Sequence, residues 1–385
     1  MRNLWFPKRA VLYTRIEYSR ESRAKAQARA RARARYKIGH PMEQPYFVAD
    51  QQKVADELGN DALLSMFRQM VLIRQFEIRA EAGYQQDKIG GFLHLYIGQE
   101  AIQTAAVKAI GQENWWSTTY RCHALALLLG ESPYSLLAEL YGRATGNACG
   151  RGGSMHMYSK RMLGGFAIVA GGIPVATGAA LSCKYLNKRN EISISFFGDG
   201  AVAQGVFHES LNIASMWSLP CLYVIENNKW SMGTPLVRTL ANYELFPRKA
   251  AESYDMPFFL LDGMDMLNCY AGFSAAHQYV RDHQKPALVE CRTERFRGHS
   301  ISDPGLYRSK EELKKGMERD PILLMKQFLI DRHVLTEESY QQIEEECRNE
   351  IAKAAQKANA DPWPDPRTLE EDVMAPMGGR TSCNE

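Results

Sequence analysis

Residues 193–230, "SISFFGDGAVAQGVFHESLNIASMWSLPCLYVIENNKW", decide the fold of this chain. The apolar run "SISFF" ends at Gly198, "QGVFHESLNIASMW" (204–217) has helical spacing, and "CLYVIE" (221–226) is a second apolar run followed by "NNKW". Strand, crossover helix and strand within roughly 30 residues is the length of a compact βαβ unit. If the strands are neighbours they lie about 5 Å apart, which brings Asp199 and the pair Asn227 and Asn228 to one edge. A carboxylate, an amide oxygen and nearby carbonyls are hard ligands. They are too few to cage calcium but suit a magnesium ion that takes its other ligands from water and a diphosphate. A plainer reading stays open, because Gly-Asp-Gly also arises by composition and Asn-Asn after a strand is an ordinary turn.

The apolar runs at 192–197, 221–226, 258–263 and 287–292 are separated by helical or loop segments. This alternation predicts an α/β fold: a doubly wound, mostly parallel sheet with helices on both faces and ligands at the carboxyl ends of its strands. Upstream, "LLSMFRQMVLIRQFEIRAEAGY" places apolar residues at helical spacing and predicts a helix over 50–83. "GGFLHLYIGQEAIQTAAVKAIG" (90–111) begins as a glycine-led loop and turns helical near Gln99, and a further helix is expected over 132–143. Residues 146–174 are glycine-dense and aperiodic, a length that is usually functional when it is not disordered. "IPVATGAALSCKYLNK" (173–188) reads as a small-residue helix packed closely on a sheet. From about 309 the chain becomes helical and charged, and 366–385 is a Pro-containing tail. Internal repeats are absent from the sequence.

The composition is globular, 45% apolar and 24% charged, with no apolar run near the roughly 20 residues of a bilayer span. The eight cysteines are scattered without a Cys-x-x-Cys pair, which argues for reduced thiols and against a structural zinc site. Residues 1–40 hold twelve Lys or Arg against Glu17 and Glu21, so this segment carries a formal +10 and the rest of the chain −7. Three readings of 1–41 stand: a nucleic-acid-binding arm, a mitochondrial presequence, or a basic, disordered extension before a start at Met42, leaving 42–365 as the α/β domain. The arm has no aromatic-interleaved or folded reader of bases, so nucleic acid is a disfavoured partner.

"GDGAVAQG" followed by "ENNKWSMGT" resembles the thiamine-diphosphate fingerprint. The similarity extends to "GFLHLYIGQEA", "STTYRCHA", "GRGGSMHMYSK", "IVAGGIPVATGAALSCKY" and "RFRGHSISDPGLYRSKEEL". In that order, over about 50–365, these segments resemble the alpha subunits of the thiamine-diphosphate-dependent 2-oxo-acid dehydrogenase family. The resemblance implies a thiamine-diphosphate-binding fold and an Mg²⁺ ion held by the side chains of Asp199 and Asn228 and the carbonyl of Trp230, where the family often has Tyr. It assigns diphosphate contacts to Tyr120, Arg121 and the backbone N–H groups of Gly200 and Ala201, and aminopyrimidine contacts to Ala167 and Val169. Gly is frequent in the family where Ala167 stands. Arg suits phosphate because its planar donors grip oxygens in pairs.

His94 and His299 match the family's active-site histidines, and Phe92 matches a pocket-lining position. Both histidines occupy loop segments, and an imidazole titrating near neutrality can stabilise a substrate carboxylate and handle protons at acyl transfer. His123, His208, His277 and His333 match no motif and read as structural. Ser300 matches a serine that kinases modify in mitochondrial relatives, but "SISDPGLYRS" lacks the second loop serine usual before the Tyr. That departure favours the bacterial cytoplasm over the mitochondrial matrix.

The resemblance covers only the diphosphate-binding half of the family's machinery. It implies a beta subunit that supplies the acid facing the cofactor's pyrimidine ring, an α₂β₂ assembly, and lipoyl domains of an acyltransferase as acyl acceptor. The implied reaction is oxidative decarboxylation of a 2-oxo acid. Gln99, where acetoin enzymes commonly have Glu, and "NNKWSMGT" favour pyruvate over acetoin or a branched-chain 2-oxo acid.

Overall fold

In the computed structural model, residues 46–370 are described; the basic segment 1–41 and most of the tail lie outside them. Helix α1 (Gln51–Leu58), capped by the Asp50 carboxylate, is followed by α2 (Asn60–Gln85). The single helix expected over 50–83 is therefore two, broken at Gly59, whose φ of 75° leaves the helical region. Then come α3 (Glu100–Ile110), β1 (Trp115–Thr119), α4 (His123–Leu128), α5 (Pro133–Leu140), β2 (Met162–Phe166) and α6 (Gly172–Tyr185). Strand β3 (Ser193–Gly198) leads through a 3₁₀ turn (Asp199–Ala203) into α7 (Gly205–Met216), and β4 (Cys221–Asn227) follows. A short hairpin, β5 (Trp230–Ser231) and β6 (Thr234–Pro235), precedes α8 (Phe246–Ser253), β7 (Phe258–Asp262), α9 (Met266–His283) and β8 (Ala287–Arg292). Helices α10 (Lys310–Met317), α11 (Pro321–Asp331) and α12 (Glu337–Ala360) follow, with a 3₁₀ turn (Pro366–Thr368) last among the described residues.

Six strands form one parallel sheet in the order β2-β1-β3-β4-β8-β7, the expected fold class. Alternating residues feed two cores. Ile194, Phe196, Leu222 and Val224 face α2, α3 and α9, whereas Phe197, Cys221, Tyr223 and Ile225 face α6, α7 and α8. Cys347, Ile351, Ala355 and Ala358 of α12 enter the first core, so the C-terminal helices belong to the same body as the sheet. Strands β1 and β2 are additional to the four expected runs, and β2 lies inside the glycine-dense segment. A Cβ on Gly165 would sit 2.5 Å from the Met155 carbonyl and 2.7 Å from Cys122 Cβ, so close packing dictates the glycine that hides this strand.

From β1 the chain steps outward to β2 and returns across β1 to β3. The carboxyl ends of β1 and β3, at Tyr120–Arg121 and Asp199, thus flank a topological switch point, where such sheets open a ligand crevice.

Candidate active site

Gly198 at the end of β3 is in register with Glu226 on β4, which sets Asp199 beside the Asn227–Asn228 pair. The structure gives the two asparagines different work. Asn227 accepts from the Lys229 N–H (3.0 Å) and donates to Glu290 (2.6 Å), building the turn. Asn228 donates through Nδ2 to Gln99 Oε1 (3.1 Å), which leaves its Oδ1 buried with no partner among the described residues. Asp199 Oδ2 is likewise buried and unpartnered. Burial raises the Asp199 carboxyl to about 7, against opposing N–H groups of Asp199 and Gly200 and the charge of Arg295. Two desolvated oxygens without donors are a mismatch that a cation relieves. Among the described residues no group of three or more His, Cys, Asp or Glu could cage a metal; one carboxylate oxygen and one amide oxygen are hard donors that fill only part of a coordination shell.

The histidines meet. His94 lies on the loop before α3 and His299 on the loop after β8, with ring centroids 5.0 Å apart and nearly perpendicular. Tyr120 packs 4.3 Å from His94 and 5.4 Å from His299, and Phe92 lies 6.5 Å from His94. Burial, then the Arg121 charge, lowers His94 to about 2 and His299 to about 4, so both imidazoles are neutral at pH 7. Arg121 ties the loops together, donating from Nη1 to the Leu95 carbonyl (2.8 Å) and from Nη2 to the His299 carbonyl (2.6 Å). Its desolvation lowers it to about 10, and no carboxylate pairs with it among the described residues, which leaves a buried cation receptive to an anion.

The loop bearing His299 is organised by Asp303. Its carboxylate accepts from the His299 N–H (2.6 Å), the Gly305 N–H (2.9 Å) and the Tyr307 hydroxyl (2.6 Å), and Arg295 donates to that hydroxyl (2.7 Å). Burial works to raise the Asp303 pKa, but these hydrogen bonds prevail and lower it. The Ile301 N–H reaches the Leu93 carbonyl (2.8 Å), and Ser300 is buried with its hydroxyl on Ser302 (3.0 Å).

Strand register alone places the remaining positions. Pairing of Thr119 with Phe166 sets half-buried Ala167 beside Tyr120, with Val169 exposed beyond it. Gly200 and Ala201 occupy the 3₁₀ turn rather than the start of α7, and early N–H groups of such a turn have no acceptor within it. A Cβ on Gly198 would meet open space, whereas one on Gly200 would sit 2.7 Å from Ser231 Oγ, so Gly200 makes room for the hairpin. Trp230 in β5 packs its ring against Tyr307, tilted by 44° with centroids 4.9 Å apart, joining the hairpin to the His299 loop.

Three contributors were not singled out from sequence. Arg295 is almost fully buried and its charge bears on His94, Arg121, Asp199 and His299. Glu226 accepts from the Tyr96 hydroxyl and Gln103 (3.1 Å), and burial raises it to about 7. Its signal was available, since an acid ends an otherwise apolar strand there as Asp199 follows one. Glu77 pairs with His123 (2.9 Å) at full burial and accepts the Tyr96 N–H (3.1 Å), while the other His123 nitrogen meets the Ser154 carbonyl (3.0 Å). The structural reading of His123 agrees with that placement. His208 meets the Tyr254 hydroxyl (3.0 Å) on the far face.

A doubly wound chain whose strand ends gather unpaired cation-seeking oxygens, an unpaired guanidinium and two neutral imidazoles has the makings of an α/β enzyme that takes an anionic ligand at its strand ends. A model of the family described as Dehydrogenase E1 component matches residues 68–367, and the chain belongs to that family. It is 41% identical over 312 residues to the pyruvate dehydrogenase E1 component subunit alpha of Rickettsia felis, covering 80% of this chain and 95% of that protein. Identity is 40% over 321 residues with the subunit of that name from Rhizobium meliloti (83% and 91% covered). With the chloroplastic subunit alpha-3 of Oryza sativa it is 39% over 326 residues (82% and 76% covered).

Proposed function

We propose that the chain is the alpha-type subunit of a thiamine-diphosphate-dependent enzyme that oxidatively decarboxylates pyruvate and passes the acetyl group to a lipoyl group of an acyltransferase. Membership of the Dehydrogenase E1 component family and the identity of the relatives as pyruvate dehydrogenase alpha subunits support this reading. The observation that carries it is the His94–His299 pair, 5.0 Å apart, beside the unpartnered oxygens of Asp199 and Asn228.

Asp199, Asn228 and the Trp230 carbonyl would hold Mg²⁺, with Tyr120, Arg121 and the N–H groups of Gly200 and Ala201 on the diphosphate and Ala167 and Val169 against the aminopyrimidine. When bound, thiamine diphosphate supplies a carbon nucleophile and an electron sink for the carboxylate electrons. The chain's own residues do the rest. The negative charge of a bound 2-oxo acid beside Arg121 would offset that guanidinium and restore basicity to His94 and His299, which then accept and return protons near the substrate. Phe92, largely exposed, closes the apolar side of the pocket against a partner. That partner is a beta subunit supplying the acid for the pyrimidine ring, in an α₂β₂ assembly. The Rickettsia and Rhizobium relatives support a bacterial cytoplasmic setting.

The test is co-expression with a beta subunit followed by ferricyanide-linked turnover of pyruvate, acetoin and 2-oxoisovalerate. Pyruvate turnover that requires both chains is the expected result, and turnover of acetoin with pyruvate ignored overturns it.

A further inference from the structure

Away from the strand ends, a cavity of about 220 Å³ opens between α2, the end of α5 and α12. Arg79 and Lys88 line it, and Gln86, Tyr141, Gln356 and Asn359 complete its polar wall. No carboxylate lines it. Neither Arg79 nor Lys88 makes an ion pair or side-chain hydrogen bond with an acid among the described residues, and Arg79 Nε is buried without any acceptor. Lys88 Nζ stands 5.9 Å from the centroid of the Tyr141 ring, and the Arg79 charge acts against the burial that raises the Tyr141 phenol. Two cations sharing a concave wall without counter-charge repel one another. A desolvated guanidinium edge is most stable with an oxyanion on its planar donors.

We propose that this cavity binds a small dianion of phosphate or dicarboxylate type, one per chain, at a place separate from the histidine site. The guanidinium of Arg79 takes two of its oxygens side by side, the ammonium of Lys88 neutralises the second charge, and the amides of Gln86, Gln356 and Asn359 hydrogen-bond the remainder. The cavity volume admits either ion with water. The Gly83 carbonyl accepts the N–H groups of both Gln86 (3.2 Å) and Lys88 (3.0 Å), so the turn that presents Lys88 is preformed. Lys88 also begins the loop that runs to Phe92 and His94, so an occupant anchors that loop at its root.

The test uses the full-length chain with its beta-type partner, saturated with thiamine diphosphate and Mg²⁺ so that the diphosphate contacts are filled. Inorganic phosphate and malonate are titrated separately in chloride buffer by calorimetry and by hydrogen exchange. Saturable binding of either ion, with slowed exchange at 83–92 and 353–360, is the expected result, and the tighter ion identifies the class. Arg79→Gln and Lys88→Gln should each weaken it at least tenfold. Lys88→Gln on the exposed turn and Gln356→Ala serve if the Arg79 variant fails to assemble. Absence of saturable binding by both ions, or binding unchanged in Lys88→Gln, overturns the proposal.

Discussion

Gln99 holds Asn228 by a hydrogen bond of 3.1 Å from Nδ2, and this one contact leaves Oδ1 of the asparagine buried without a partner among the described residues. Gln99→Met removes the acceptor and frees the amide to turn over. Losing a hydrogen bond of about 1.4 kcal/mol predicts a tenfold rise in the Mg²⁺ concentration needed for half-maximal cofactor binding. Gln99→Glu keeps an acceptor and should retain most of the affinity. Tryptophan fluorescence of the assembled complex reads both.

Asp199 is an acid whose folded pKa, about 7, lies above its unfolded value, so the folded metal-free chain holds the proton more tightly. The protonated form is fully favoured below about pH 4, and stability from this group is lost as pH rises through 7. Asp199→Asn should therefore melt higher than the parent without metal, by a margin that grows between pH 5 and 7.5 toward an order of 4 kcal/mol. With Mg²⁺ and cofactor present the order reverses, because only the parent gains from the ion. Calorimetric melts with and without Mg²⁺ check the crossing.

His299 runs the other way. Its folded pKa of about 4 lies below the unfolded value near 6.5, so unfolded chains take up the proton first and stability falls as pH drops from 6.5 toward 4. His299→Gln should flatten that acid limb while lowering kcat on pyruvate by about 10²-fold or more, the scale of a positioned acid–base group. Melting curves and steady-state rates across pH 5 to 8 separate the two effects.

Arg121→Lys keeps the charge but replaces a fork spanning two carbonyls with a single ammonium. The loops of His94 and His299 then lose their shared tie, and kcat/KM should fall by about 30-fold through a loss of roughly 2 kcal/mol. A far-ultraviolet spectrum identical to the parent would show that the fold is intact.

Ser300 is only 7% exposed. A charged side chain cannot be accommodated there without opening the loop, so Ser300→Glu should abolish activity and expose 300–309 to limited proteolysis. Ser302→Ala, which removes one hydroxyl contact of 3.0 Å, should cost no more than about 1 kcal/mol of stability. Mass mapping of the cleavage sites decides between them.

The sequence was most legible where chemistry and periodicity coincided. The 193–230 unit appeared as a parallel βαβ pair because alternating burial left runs of apolar residues that helical spacing interrupts. Strand β2 escaped notice because Gly164 and Gly165 carry no side chain to make a pattern, and their need arises from atoms far along the chain, such as Cys122. The histidines were legible as motif residues, but their 5.0 Å contact depends on Arg121 joining carbonyls 26 and 178 positions away. Residue type and position alone leave Asn227 and Asn228 equivalent, and only the resemblance puts the ion on Asn228. The partners Glu290 and Gln99, contributed by β8 and the loop before α3, supply the physical reason: they give one a structural task and leave the other without a partner for its Oδ1.

The carboxylate of Asp303 has a dynamic consequence. It holds the His299 N–H, the Gly305 N–H and the Tyr307 hydroxyl at once, and the same hydroxyl takes a bond from Arg295. Contacts that share one carboxylate are expected to break cooperatively, which predicts exchange of the loop between a latched and a released form. A nuclear probe near His299 should then report two discrete signals whose relative intensities vary, and a perturbation at any one of these four residues should shift the ratio rather than the positions.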